Sequence, residues 1–291
     1  MQGNIFRMDI AAIKARARAI VPRQLALHIP PETPRYWMGG DPYSTHLMNV
    51  LSLTFPAGER FFIDAVRAFR AQVKDPQLTA QVHGFVGQEA LHSREHSGFN
   101  RWLARFGIDA EAFDRTISDD IARRRARRLP IDDLAVTCAL EHFTAIMAEG
   151  WLTQEALREA AAEPLRTLWT WHAVEELDHK SVAFDVFNEV SGDYATRVRW
   201  MVQISIGFML GVSFMHLRFL AADGQLKRPG YLLQRWWKYW GPRGHFTRLV
   251  PAYLRYYKRD FHPWDDDHTA LIARFERVLR ESGYAPSATA A

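Results

Sequence analysis

The sequence predicts an all-α fold: a four-helix bundle with additional helices at its C-terminal end. Two observations carry this. Apolar residues recur at three- and four-residue spacing, the period of a helix face, while period-two alternation is scarce and Asn-Gly or Asp-Gly hairpin turns are few. In addition, four segments of about 25 residues before position 192 are punctuated by Pro, Asp and Gly at positions that suit helix ends.

The first 44 residues read as an irregular approach segment. A short basic helix is expected near Met8 to Ile20, and the prolines of "HIPPETPRYW" forbid a continuous helix after it. The first long helix is expected from Thr45 to Ala71, with a kink or break at Pro56 and Gly58. The second follows Asp75, with Pro76 as its first helical residue, and ends near Gly107. A crossover, "IDAEAFDRTISDDIARRRARRLP", leads to the third, from Ile131 to Ala161, opened by Pro130 and two aspartates that suit the N-terminal dipole. The fourth runs from Pro164 to Gly192. Residues 45–192 thus form the bundle and residues 193–291 a helical extension packed on it, together one structural domain. Trp200 to Leu217 contains no charged residue. A buried fifth helix is the expectation there, with an interfacial or membrane-inserted helix as the alternative. The Trp-, Tyr-, Arg- and Lys-rich stretch after it either caps the bundle or lies at a lipid headgroup surface. The terminal "SATAA" is expected to fray.

Composition narrows the function. The chain has 291 residues, a formal charge of +4 and one cysteine, Cys138. It is long enough to bury a core without staples, and neither an intrachain disulfide nor a thiolate zinc site can be built. The arginine run at Ala122 to Pro130 reads as a solvated helix end. No nucleic-acid recognition motif accompanies it, so no nucleic-acid partner is expected. The N-terminus lacks an apolar stretch followed by a small-residue cleavage site. A cytoplasmic location is therefore expected, with contact at the inner membrane face as an option.

The chemistry-bearing pattern begins in "GQEALHSREH". Glu89 and His92 lie three apart and share a helix face. The fourth helix repeats this with Glu176 and His179 in "HAVEELDH". The first helix places Glu59 in the apolar stripe of Phe55, Phe62, Val66 and Phe69. The third places Glu141 with Leu134, Cys138, Ala145 and Ala148. One Glu from each of two helices and a Glu-x-x-His from each of the other two is the ligand set of a dinuclear carboxylate-bridged site in a bundle. Four carboxylates neutralise two divalent cations, and two imidazoles complete the coordination while leaving positions open. Without metal, four carboxylates in a bundle core would repel one another and lose hydration.

Other residues are candidates for supporting roles. His96 and His172 lie one turn from Glu-x-x-His residues on the same faces and can serve as a third imidazole ligand, as supporting partners or as a proton relay. His142 and Glu175 point about 100° away and read as supporting or structural. Asp178 can orient a ligand histidine, Glu95 faces solvent or pairs with Arg94, and Asp185 reads as a surface carboxylate.

These residues resemble the ferritin-like di-iron carboxylate superfamily over roughly residues 45–192. More closely, "FPAGERFF", "FVGQEALHSREH", "LEHFTAIMAE", "WHAVEELDHKSVAFDV" and the C-terminal "FHPW" look like a bacterial family labelled "predicted metal-dependent hydrolase". The superfamily resemblance implies two iron ions, with Mn or Zn as substitutes, held by Glu59, Glu89, His92, Glu141, Glu176 and His179. Dioxygen activation and oxidation of a small apolar or lipid-like substrate is the main expectation, and electrons would come from a separate donor. The family label implies the alternative, a dimetal hydrolase. A non-enzymatic membrane-surface protein is a second alternative. A homodimer is compatible with either.

Overall fold

The structure, a computed structural model, describes residues 19–283. The expected basic helix over Met8 to Ile20 lies outside the described residues except for its last two positions, which are non-helical, and the terminal "SATAA" lies outside them entirely. The fold is all-α. Among the described residues the only β pairing is one bridge between Met38 and Ala161.

The bundle is built from α1 (Pro42–Arg67), α2 (Pro76–Trp102), α4 (Pro130–Thr153) and the pair α6 (Leu165–His179) and α7 (Val182–Val190), with α3 (Ala110–Arg125) in the connection between α2 and α4. α1 packs on α2, α4 packs on α6, and α2 and α4 each touch α7. The helix starts follow local chemistry. Asp41 and Asp75 accept hydrogen bonds from the free amides of Ser44 and Gln77, and a proline, which has no amide to leave unpaired, occupies the first turn of each helix. The arginine run ends α3 as a solvated face, with Arg124 paired to Asp120.

Of the kink or break expected at Pro56, the break does not occur: α1 runs unbroken from Pro42 to Arg67. Pro56 cannot donate to the carbonyl of Ser52. The Asn100 side chain of α2 supplies the missing donor at 2.9 Å, so the orphaned acceptor is satisfied across the helix pair. The third helix stops at Thr153 rather than Ala161, and a short α5 (Glu155–Arg158) follows. The Gln154 side chain at that stop bonds to His245 of the C-terminal region, a contact invisible in local sequence. The fourth helix is interrupted at Lys180 and Ser181. There the Lys180 ammonium donates to the carbonyl of Asp266 at 2.7 Å and lies over the Trp264 ring.

Two apolar clusters fill the bundle. One takes Leu47 to Phe55 of α1, Phe99 of α2 and Ala145 to Leu152 of α4. The other takes Phe61 to Val66 of α1, Leu78 to Phe85 of α2 and Leu134 to Ala139 of α4. Glu59, Glu89, His92 and Glu141 fall between the two on each helix. A charged layer is therefore sandwiched between dry layers.

The approach segment crosses α2 at Gly84 and Gly87. A Cβ on Gly84 would meet the Ile20 carbonyl oxygen at 2.4 Å, and one on Gly87 would meet Pro22 at 2.6 Å. Gly84→Ala is expected to lower stability by about 1–3 kcal/mol, as overpacking against backbone does. Chemical denaturation would measure the fall, and an unchanged midpoint would show that the segment gives way freely.

The C-terminal region consists of α8 (Tyr194–Ala222), α9 (Pro229–Trp240), α10 (Val250–Arg255) and α11 (Thr269–Glu281). α8 packs on α4 and α1, yet it is not the buried fifth helix expected. Only 11% of its most apolar 18-residue window is buried. Hydropathy measures composition, and this helix turns its apolar side outward.

Candidate metal centre

Glu59, Glu89, His92, Glu141, Glu176 and His179 come from four helices and are all buried. The structure brings them to one place. Three groups each hold three ligand atoms within 4.8 Å of one another: Glu59, His92 and His172; Glu89, His92 and Glu176; and Glu89, Glu141 and His179. Glu89 and His92 each belong to two of these groups. His172 enters as a seventh member.

The hydrogen bonds orient the histidines. Asn100 Nδ2 donates to Ser52 O, so its Oδ1 accepts the Ser52 hydroxyl at 2.7 Å. Ser52 Oγ then accepts from His96 Nδ1 at 2.8 Å, and His96 Nε2 accepts from His172 Nδ1 at 2.9 Å. That chain leaves His172 Nε2 facing Glu176 at 3.0 Å. His179 Nδ1 lies 2.8 Å from Gln88 Oε1, which leaves Nε2 facing Glu89 at 3.0 Å and Glu141 at 3.5 Å. His92 Nε2 lies 2.9 Å from Glu175 Oε2, which leaves Nδ1 facing Glu176 at 3.4 Å. In each of the three rings the outer nitrogen is held by a protein acceptor and the inner one points at carboxylates. A partner on the far nitrogen that fixes the ring is the usual support of a metal-ligating histidine.

The inner atoms also test whether a metal fits. Both carboxylate oxygens of Glu59, Glu89 and Glu141, one of Glu176, and the inner nitrogens of His92 and His179 are buried without a hydrogen bond. Buried polar atoms are almost always bonded. So many orphans converging on one point fit divalent cations, whose preferred donors are carboxylate oxygen and imidazole nitrogen.

Electrostatics agree. Burial, then the neighbouring Glu89 carboxylate, pushes Glu59 and Glu141 well above the usual carboxylate range, and burial raises Glu89. Burial would depress His92, but Glu175 and Glu176 outweigh it and raise His92 to about 10. His179 is raised well above its ordinary value against burial by Glu176 and Glu89. Burial would raise Glu176, yet His179 and His172 hold it well below the usual range. Burial, then the nearby His92, lowers His172 to about 4. His92, raised to about 10, retains a proton near neutrality that a cation must displace. Metal affinity is therefore expected to rise with pH between 6 and about 9. Titration calorimetry in buffers of different ionisation enthalpy would detect the released protons, and a pH-independent affinity would contradict this charge arrangement.

Beyond the cluster, Arg23 holds its support in place. Its guanidinium lies 3.2 Å from Glu175 and 2.8 Å from Asp178, and its amide donates to Glu175 at 2.9 Å. Asp178 therefore acts on Arg23, alongside Glu175, rather than on a cluster histidine directly. His96, expected as a ligand or a supporting partner, has both ring nitrogens engaged by Ser52 and His172 and supports His172. Of the two roles expected for His142, the structural one fits: its Nε2 lies 3.2 Å from the carbonyl of Ala252 and its ring packs on Tyr256 and Phe261. Glu95 is buried and accepts from Leu27 N as well as from Arg94. Asp185 is 2.8 Å from His262 of "FHPW". Sequence reasoning missed Arg23, Gln88 and Ser52. Gln88 adjoins Glu89, but a residue whose partner is 91 positions away carries no local signal.

A cavity of about 70 Å³ reaches the cluster at His172 and Glu176. Its walls include Met48, Leu51, Phe55, Met147 and Trp169, together with Tyr239, Phe246 and Leu249 of the C-terminal region.

Fold and site together define an all-α protein whose helices enclose a buried carboxylate–histidine cluster with the donor chemistry of a metal centre. The chain belongs to the family described as predicted metal-dependent hydrolase, which it matches over residues 21–267. Neither the curated proteins nor the solved structures yielded a match.

Proposed function

We propose that this protein is a dinuclear metal-dependent hydrolase acting on a small, largely apolar substrate. The convergence of unbonded carboxylate oxygens and inward imidazole nitrogens at the end of an apolar cavity carries this reading, and the family description supports the reaction class. Glu59, Glu89, Glu141, Glu176, His92 and His179 would hold two divalent ions, with Glu89 shared between them. Bound there, the ions supply Lewis acidity that activates water and polarises a substrate oxygen. The chain's own residues do the rest. Phe55, Trp169 and Met147 seat an apolar group and exclude bulk water. His172, with its pKa near 4, is neutral at pH 7 and offers Nε2 at the cavity wall as a ligand or a proton acceptor. Glu175, anchored by Arg23, keeps the His92 ring turned.

A second reading, oxidation with iron and dioxygen, is favoured by one observation. Four carboxylates with so few imidazoles match the donor set of di-iron carboxylate bundles. Metal analysis of protein from its host, followed by two assays, separates the readings. Under the first, Mn(II)- or Zn(II)-loaded protein cleaves p-nitrophenyl acyl esters or phosphate esters at least about 100-fold faster than Glu89→Gln protein. Oxygen consumption by Fe(II)-loaded protein, with no hydrolysis of any of these esters, would overturn it in favour of the second.

A further inference from the structure

We propose that the outer face of α8, α9 and α10 docks in the plane of an anionic lipid bilayer. On α8, Val202, Ile206, Met209, Leu210, Phe214 and Leu217 recur at helical spacing and are exposed. They form one stripe of about 22 Å at 1.5 Å per residue. On α9, Leu233, Trp236 and Trp237 are exposed at i, i+3 and i+4, and Val250 and Leu254 continue the apolar surface onto α10. Ile206, Leu210, Phe214 and Leu217 are each more than half exposed, at 58%, 67%, 62% and 53%. A stripe this large facing water marks an interaction surface.

Charge identifies the occupant. Residues 194–259 contain twelve lysines and arginines and one acidic residue, Asp223. Arg197 is buried and Arg199, Arg235 and Arg255 pair with Asp132, Asp41 and Asp266, which leaves eight cations for the outer surface. Asp223 is already engaged by Arg35, Tyr36 and His46. Apolar side chains interleaved with Trp, Tyr, Lys and Arg match the layered chemistry of an anionic membrane interface. A second copy of this face would instead oppose one basic surface to another.

The inner side of α8 shows why it lies on a membrane rather than crossing it. Arg197, Trp200 and Met201 near its start and Val212, His216 and Leu220 in its second half are buried. Arg197 donates to the carbonyls of Tyr256 and Lys258, and His216 Nε2 lies 2.9 Å from the carbonyl of Tyr43. A spanning orientation would break all of these contacts. Tyr239, Phe246 and Leu249, which close the cavity beside His172 and Glu176, belong to the same C-terminal segments. Docking would therefore bring the cavity next to a source of lipid-like substrate, a consequence that rests on the function proposed above while the docking itself does not.

The test is flotation of the full-length protein with vesicles of phosphatidylcholine alone or with 30 mol% phosphatidylglycerol. The protein is expected to float with the anionic vesicles, with at least tenfold weaker binding to neutral ones. The pair Leu210→Glu and Phe214→Glu, at exposed positions, should reduce binding at least tenfold while leaving the thermal midpoint unchanged. Trp236→Phe with Trp237→Phe should remove most of the lipid-induced blue shift in tryptophan emission. No flotation at low salt would overturn the proposal. So would binding that survives the glutamate pair, or a concentration-dependent dimer abolished by that pair in protein that ignores vesicles.

Discussion

Replacing Glu89 with Gln is expected to abolish binding of two metal ions per chain. Glu89 is the carboxylate shared by two of the three ligand groups, so under the dinuclear reading proposed above its loss would weaken both metal positions at once. Gln keeps the volume but removes the charge that would neutralise the cations. Metal content by mass spectrometry should fall from two ions per chain to one or none. Retention of two would show that Glu89 is not shared. Glu59→Gln should behave differently in the two states. Its carboxyl is buried, has no hydrogen bond, and is driven to hold its proton by burial and by Glu89. Between its ordinary pKa and its raised value in the fold, the folded chain holds more protons than the unfolded one, so this group's contribution to stability falls as pH rises. Metal-free Glu59→Gln protein should therefore melt higher than wild type at pH 8, by about 2–4 °C for each kcal/mol relieved, while metal-loaded variant protein should melt lower. The same sign in both states would argue that Glu59 has no part in holding metal.

The second large effect is expected from Arg23→Met. Arg23 is nearly buried. Burial works against its charge, but Asp178 and Glu175 outweigh that effect and keep the guanidinium charged. Removing one partner of a buried ionic network typically costs about 3–5 kcal/mol, because the opposing charge stays behind. Glu175 would lose the guanidinium hydrogen bond at 3.2 Å while keeping the one at 2.9 Å from the backbone amide of residue 23. The His92 ring would lose a fixed support, and metal affinity should fall roughly 10- to 100-fold. A double-mutant cycle with Glu175→Gln would assign the effect. Additive losses would mean that Arg23 acts only on global stability, whereas strong coupling would confirm that it works through Glu175.

Much of the centre is legible in the sequence because its pattern is local. A Glu and a His three apart share a face on any helix, and a Glu amid Phe55, Phe62 and Val66 must lie on a buried stripe. The third imidazole was not separable from its neighbour in this way. His96 and His172 each stand one turn from a motif, and only the bonds from Ser52 and Asn100 show which ring turns inward. Likewise, the length and hydropathy of α8 suit a core helix, an interfacial helix and a span equally. Its environment is set by what packs on it.

The sequence alone determined the all-α class, the helix starts and the pattern of two lone glutamates and two Glu-x-x-His pairs, since each depends on backbone capping or on the fixed period of the helix. Only the tertiary structure decided the breaks at Thr153 and Lys180, the carbonyl that Asn100 satisfies beside Pro56, the passage of Arg23 over the site, the inward turn of His172 and the outward apolar face of α8. Each of these depends on a partner far away in the chain, and local periodicity carries no information about which distant surfaces meet.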